Sequence, residues 1–176
     1  MDLISVTTVT ITTRPAGPAD ALLIHQVYTR TPEYFSVISI PTPTLAEVER
    51  ELEAAAGDPF RRTELVLAED GDCRAHGILD PVSGRHAIGY LDYKLDYPEA
   101  GDATVNLLLI LRSLQSRGYG RCCIQDLEAR LRGRSKRVLA SIYGQNPRAQ
   151  RFWCSLGYCF AIDAQPILDW YAKALL

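Results

Sequence analysis

The sequence predicts an α/β fold, a mixed sheet covered by helices, on three observations. The run Val105 to Leu111 is apolar except at Asn106, as in a central strand covered on both faces. Past Gly120 the period changes. Cys123, Ile124, Leu127 and Leu131 fall at helical spacing, with Arg121, Gln125, Glu128 and Arg132 on the opposite side. Ala149, Phe152, Trp153 and Leu156 then form the i, i+3, i+4, i+7 stripe of a second helix, behind a strand at 137–143.

Along the chain, a strand is expected at 7–13 and a helix at 18–29, followed by an irregular segment around Pro32 to Pro43. Leu45, Val48, Leu52 and Ala55 form the buried stripe of the next helix, Glu47, Glu49, Glu51 and Glu53 its solvated side, and Gly57-Asp58-Pro59 its stop. Strands near 64–69, 74–80 and 86–96 are separated by turns at Asp70-Gly71-Asp72 and Ser83-Gly84. The central strand at 103–111 leads to a long helix at 118–132, the strand at 137–143 and a helix at 147–156. Pro147 suits the first turn of that last helix and Gly157 its end. Two strands, near 158–163 and 167–173, close the chain.

At 176 residues, the length favours one domain over residues 1–176, large enough to bury a core without staples. Hydrophobic residues at 47% and charged residues at 23% are ordinary for a soluble globular protein. A net charge of −2 makes no electrostatic case for nucleic acid or a membrane surface as partner. No apolar run approaches the roughly 20 residues that cross a bilayer. Met1-Asp2-Leu3-Ile4 lacks the basic start of a signal peptide, so a cytoplasmic location is expected. Cys73, Cys122, Cys123, Cys154 and Cys159 are odd in number and contain no C-x-x-C pair, which points to reduced packing thiols and no metal site.

The chemistry concentrates in Gln115-Ser116-Arg117-Gly118-Tyr119-Gly120, between the central strand and the long helix. A strand, a glycine-rich turn and a helix hold phosphate well. The free N–H groups of the first helical turn point outward, the helix dipole adds positive charge, and glycine lets the anion approach. A P-loop is excluded because Arg121-Cys122 follows Gly120 where Lys-Ser/Thr is needed, and a dinucleotide turn lacks its third glycine.

The run does match Q/R-x-x-G-x-G/A, and so resembles the pyrophosphate signature of the GNAT superfamily of acetyl-CoA-dependent N-acyltransferases. Asn146-Pro147-Arg148-Ala149-Gln150-Arg151-Phe152-Trp153-Cys154-Ser155-Leu156-Gly157-Tyr158 resembles that family's N-x-x-A-x-x-F/Y-Y/W-x-x-x-G-F/Y. Val9 to Pro15 and Pro18-Ala19-Asp20 look like its opening strand and first helix start. The resemblance implies a mixed, mostly antiparallel sheet of about seven strands flanked by about four helices. It also implies an N-acetyltransferase that moves acetyl from acetyl-CoA to a primary amine by direct attack on the thioester, without metal. The acceptor would be a small molecule or a peptide, and a homodimer is compatible with it.

On that resemblance the backbone of Gln115, Ser116, Arg117, Gly118, Tyr119, Gly120 and Arg121 would hold the pyrophosphate. Leu109 and Ile110 would meet the pantetheine arm, which enters like an added strand where the fourth and fifth strands splay. The Ile110 backbone would face the thioester and its oxyanion. Asn146 would reach the pantetheine, or cap its helix, or do both. Phe152 and Trp153 would wall the site.

Many members carry a tyrosine acid seven residues after the asparagine, where this chain has Trp153, whose indole N–H cannot deliver a proton. That departure supports an alternative, a non-catalytic acyl-CoA-binding sensor or subunit. Tyr143 and Tyr158 are the replacement donors at hand. Cys154 has no histidine near it in sequence to activate it. Asp92 and Asp96 are candidate bases. With Glu99, Asp102 and the interleaved Tyr90, Tyr93 and Tyr97, they read either as a solvated hairpin edge or as an acidic mouth for a cationic amine. The basic run Arg130, Arg132, Arg134, Lys136 and Arg137 reads as a helix C-terminus, or as a contact for the 3′-phosphate of CoA.

Overall fold

The computed structural model describes residues 9–165 and 168–175. The strand expected at 7–13 lies partly outside them; the strand present, β1, is Thr12–Pro15. A 3-10 turn at Pro18–Asp20 opens into α1, Ala21–Thr29. The segment expected to be irregular contains a helix, α2, at Pro32–Val37. Pro32 occupies its first turn, where a missing N–H removes no helical bond. Next come α3 at Leu45–Gly57 and β2 at Arg61–Ala68. Thr44 opens α3 with a capping box, its hydroxyl accepting from Glu47 N while Glu47 returns to Thr44 N.

The stretch expected as a turn and a strand at 74–80 is instead α4, Gly71–His76, with a two-residue strand β3, Ile78–Leu79. Asp70-Gly71 reads equally as a hairpin turn or a helix start. Asp70 Oδ1 accepts from Cys73 N at 2.9 Å, and the buried Cys73 side chain decides for the helix. The rest follows the expected order: β4 at His86–Leu95, β5 at Asp102–Ile110, α5 at Tyr119–Leu131, β6 at Arg137–Tyr143, α6 at Pro147–Ser155, β7 at Cys159–Gln165 and β8 at Leu168–Ala174.

Eight strands form one sheet in the order β1-β2-β4-β5-β6-β8-β7, with β3 beside β4. Every pairing is antiparallel except β5 with β6. Helices cover both faces. Tyr90 of β4 meets Tyr28 of α1 at a ring separation of 5.9 Å. Three residues on, Tyr93 faces the other way and donates to Glu64, which also receives Arg130 of α5 at 2.8 Å. Ile24, Val27, Val48 and Leu52 fill one layer, and Cys123, Ile124, Leu127 and Leu131 the other.

Two irregularities in β5 shape everything above it. Asp92 and Tyr93 of β4 are consecutive, yet they pair with Leu107 and Val105, so Asn106 is the extra residue of a bulge. On the other edge, pairing with β6 runs from Asp102↔Arg137 to Val105↔Ala140 and stops there, although both strands continue. The strands therefore part company at Asn106.

Candidate active site

The parting leaves a cleft of about 600 Å³ between the upper parts of β5 and β6. Val105 to Ile110 line one wall, Ser141 to Tyr143 the other, and the first turns of α5 and α6 meet at its end. Leu111 N–H donates to Ile88 O at 2.8 Å, and Gly89 pairs with Ile110. Backbone direction alternates along a strand, so the N–H and C=O of Leu109 point at β4 and those of Leu108 and Ile110 into the cleft. The Ile110 carbonyl is taken by Gln115 Nε2 at 2.8 Å. An extended chain with amides at strand spacing would find the N–H and C=O of Leu108 and the N–H of Ile110 open to it.

The turn at the end of the cleft is built for an anion. Ser116 has φ 61 and Gly118 φ 94, two left-handed residues that fold successive N–H groups towards one side. Gly118 caps α5, and the first helical bond is Cys122 N to Gly118 O at 3.0 Å. The N–H groups of Tyr119, Gly120 and Arg121 therefore have no intrahelical acceptor. Gln115, Ser116, Gly118, Gly120 and Arg121 line the cleft.

Arg117 and Tyr119 do not send their side chains there. Arg117 pairs with Asp72, and the buried Tyr119 donates to Asp70 Oδ2 at 2.5 Å, so both tie the turn to α4 and offer the cleft only backbone. Asn146 caps α6, accepting from Ala149 N at 3.0 Å, and also lines the cleft. Phe152 and Trp153 line it as well. Trp153 is 6% exposed, with its ring 4.8 Å from that of Tyr158, so it is core and wall at once. Tyr143, 38% exposed, stands on the β6 wall, and burial pushes its hydroxyl above the ordinary phenol range.

The four carboxylates read as an acidic mouth are dispersed. Asp92 is buried beneath the cleft, gripped by Arg61 through Nε at 3.0 Å and by Nη2, and by Asn106 Nδ2 at 3.2 Å. Asp96 closes the β4–β5 hairpin by accepting from Gly101 N at 2.8 Å. Asp102 pairs with Arg137 at 2.7 Å at the far end of β5, and Glu99 is exposed in the hairpin. None of the four lines the cleft. Tyr90 and Tyr93 are buried, which leaves Tyr97 as the exposed tyrosine of the hairpin. Of the basic run, Arg130 is bound to Glu64 and Asp126 and Arg137 to Asp102. Arg130 is in the last turn of α5 and Arg137 opens β6, so both lie at the far end of the helix, about 18 Å from the turn that precedes it at 1.5 Å per residue.

Several cleft residues escaped the sequence reading. Leu108 follows from Ile110 by strand alternation. Tyr34, Val37 and Glu33 come from α2, whose segment had no helical stripe long enough to read. Glu33 Oε2 is buried without a hydrogen-bond donor, 3.7 Å from Arg112 Nη1, while Oε1 receives Gln115 at 3.4 Å. Among the described residues no group of three or more His, Cys, Asp or Glu side chains is placed to hold a metal ion.

Residues 39–158 match the model of the acetyltransferase (GNAT) family. The chain belongs to the GNAT acetyltransferase family. This acetyltransferase is 37% identical to an acetyltransferase from Thermus thermophilus, with a TM-score of 0.81 over 94% of this chain and 97% of that one. The fold is shared at lower identity by a spermidine N-acetyltransferase from Vibrio cholerae solved with CoA and spermine (16%, TM-score 0.69, 94% and 95% covered). It is shared too by an aminoglycoside acetyltransferase solved with coenzyme A (15%, TM-score 0.71, 94% and 95% covered). No curated protein matches the sequence significantly. By family the GNAT chain is thus an acetyltransferase, and among its described residues no helix is long and apolar enough to cross a membrane.

Proposed function

We propose that the protein transfers acetyl from acetyl-CoA to a primary amine by direct attack on the thioester. The observation that carries this is the unpaired edge of β5 from Asn106 to Ile110, ending on the anion-binding turn. In this reading the turn from Gln115 to Arg121 seats the pyrophosphate, and Leu108 and Ile110 hold the pantetheine amides. A cleft-facing N–H, from Leu108 or Ile110, meets the oxygen that becomes negative in the tetrahedral intermediate.

The attacking amine must be neutral, and an alkyl ammonium has a pKa of about 10.4. Glu33 is the carboxylate among the described residues that lines the cleft, and its Oε2, ion-paired with Arg112 but accepting no hydrogen bond, is the group to take the proton, directly or through water. Asp92 lies beneath the cleft and Asp96 outside it, so neither is placed to take that proton directly. The departing group is a thiolate, a far better leaving group than an alkoxide, so a hydrogen bond from Tyr143 serves where Trp153 stands in place of a proton donor. The fold-sharing spermidine and aminoglycoside enzymes support an amine acceptor.

The second reading, a non-catalytic acyl-CoA sensor, rests on Trp153. Thiol release from acetyl-CoA against a panel of primary amines separates the two. Amine-dependent release is the expected result; binding of acetyl-CoA without release from any amine would leave the sensor.

A further inference from the structure

Asn106 is the polar break in an otherwise apolar strand, and the structure puts four features at this residue. It is the extra residue of the β4–β5 bulge. It is the first residue past the last β5–β6 pair. It lines the cleft. Its Nδ2 donates to Asp92 Oδ1 at 3.2 Å.

That contact settles which way the amide points, because the opposite orientation would press Oδ1 against a carboxylate oxygen. Asp92 is in turn immobilised by Arg61, and Arg61 by Glu51 Oε1 at 3.0 Å, whose Oε2 takes the Tyr28 hydroxyl at 3.3 Å. The chain Asn106–Asp92–Arg61–Glu51–Tyr28 therefore fixes one amide at the cleft wall. Nothing among the described residues donates to Asn106 Oδ1. A clamped amide with one of its two N–H groups held by Asp92 keeps its carbonyl Oδ1 open as a hydrogen-bond acceptor.

We infer that Asn106 Oδ1 receives an N–H of the acceptor amine and orients its lone pair towards the thioester, with Asp92 as the positioning residue behind it. This rests on the acetyl-transfer reading above. Asn106 and Leu108 both line this cleft, so the amide stands close to the backbone proposed to meet the thioester. The two carboxylates and one guanidinium behind the amide leave a negative balance, which favours an acceptor that arrives as a cation.

The test compares wild type with Asn106→Leu and Asn106→Ser, using 1-aminobutane and spermidine as acceptors and thiol release from acetyl-CoA as readout. Asn106→Leu keeps the volume and removes Oδ1. Asn106→Ser keeps a hydroxyl that can donate to Asp92 and accept from the amine. Asn106→Leu should lower kcat/KM for the amine about tenfold to a hundredfold, mostly through KM, with Asn106→Ser in between. The KM for acetyl-CoA and its thermal shift should not move. Equal amine kcat/KM in all three proteins, or an equal loss in the acetyl-CoA KM, overturns the inference and leaves acetyl transfer standing. A wild type that releases no thiol with either amine, while still binding acetyl-CoA, overturns both.

Discussion

The two halves of β5 belong to one strand and have opposite situations. From Ala103 to Val105 the strand is paired on both edges, and Asp102 locks its start to Arg137 at 2.7 Å. From Leu107 to Ile110 it is paired with β4 alone. An interior strand with one edge open leaves N–H groups that cost about 1–3 kcal/mol each when nothing bonds them. The lower half is scaffold. The upper half is unfinished sheet, completed by a ligand of the right shape.

The largest effect should come where the open half meets the turn. Gly120→Glu puts a carboxylate in the pyrophosphate seat, with its Cβ 3.3 Å from Phe152 Cε2. We expect the acetyl-CoA thermal shift to vanish while circular dichroism stays native. A retained shift would mean that the turn and the open edge serve different ligands.

The second expectation concerns the closed edge of the same segment. A Cβ on Gly89 would lie 2.1 Å from Leu109 O, a backbone atom that cannot rotate away. Gly89→Ala should cost about 3 kcal/mol in chemical denaturation, because β4 and β5 would have to separate where they are tightest. A loss under about 0.5 kcal/mol would show that the upper half of β5 is loose on both edges.

The smallest effect is at the wall. Trp153→Phe should reduce stability by about 1–2 kcal/mol and leave the pH profile of kcat unchanged in shape, since indole contributes packing but no titrating group. Loss of a limb from that profile would make Trp153 part of the proton path.

The same division explains what could be read from the chain. The turn and the wall of α6 are contiguous in sequence, Gln115 to Arg121 and Asn146 to Trp153, so each could be recognised as a motif, and both line the one cleft. The acceptor side is assembled from α2, α3, β2 and β4. Glu33, Glu51, Arg61 and Asp92 are far apart in the chain, and Glu51 reads as a solvated helix residue until Arg61 is placed beside it. Burial then holds the Glu51 carboxyl above the ordinary range, against the pull of that guanidinium. Asp92 and Asp96, four residues apart, looked like one acidic mouth, but β4 buries the first and the hairpin absorbs the second. Asn106 was visible as a blemish in an apolar run; its meaning depended on a bulge that no periodicity reveals.

The open edge has a consequence for the protein's lifetime in a cell. A molecule that fills the cleft binds the folded chain and not the unfolded one, so it stabilises by RT ln(1 + [L]/Kd), about 2.7 kcal/mol at a hundredfold excess over Kd. On the proposed reading, acetyl-CoA and the CoA it becomes share the arm that would lie between β5 and β6, so turnover would not strip the sheet of its missing strand. Starvation of the whole CoA pool would. The abundance of this protein should then follow total CoA, with proteases reading the metabolic state through the fraction of chains whose sheet is incomplete.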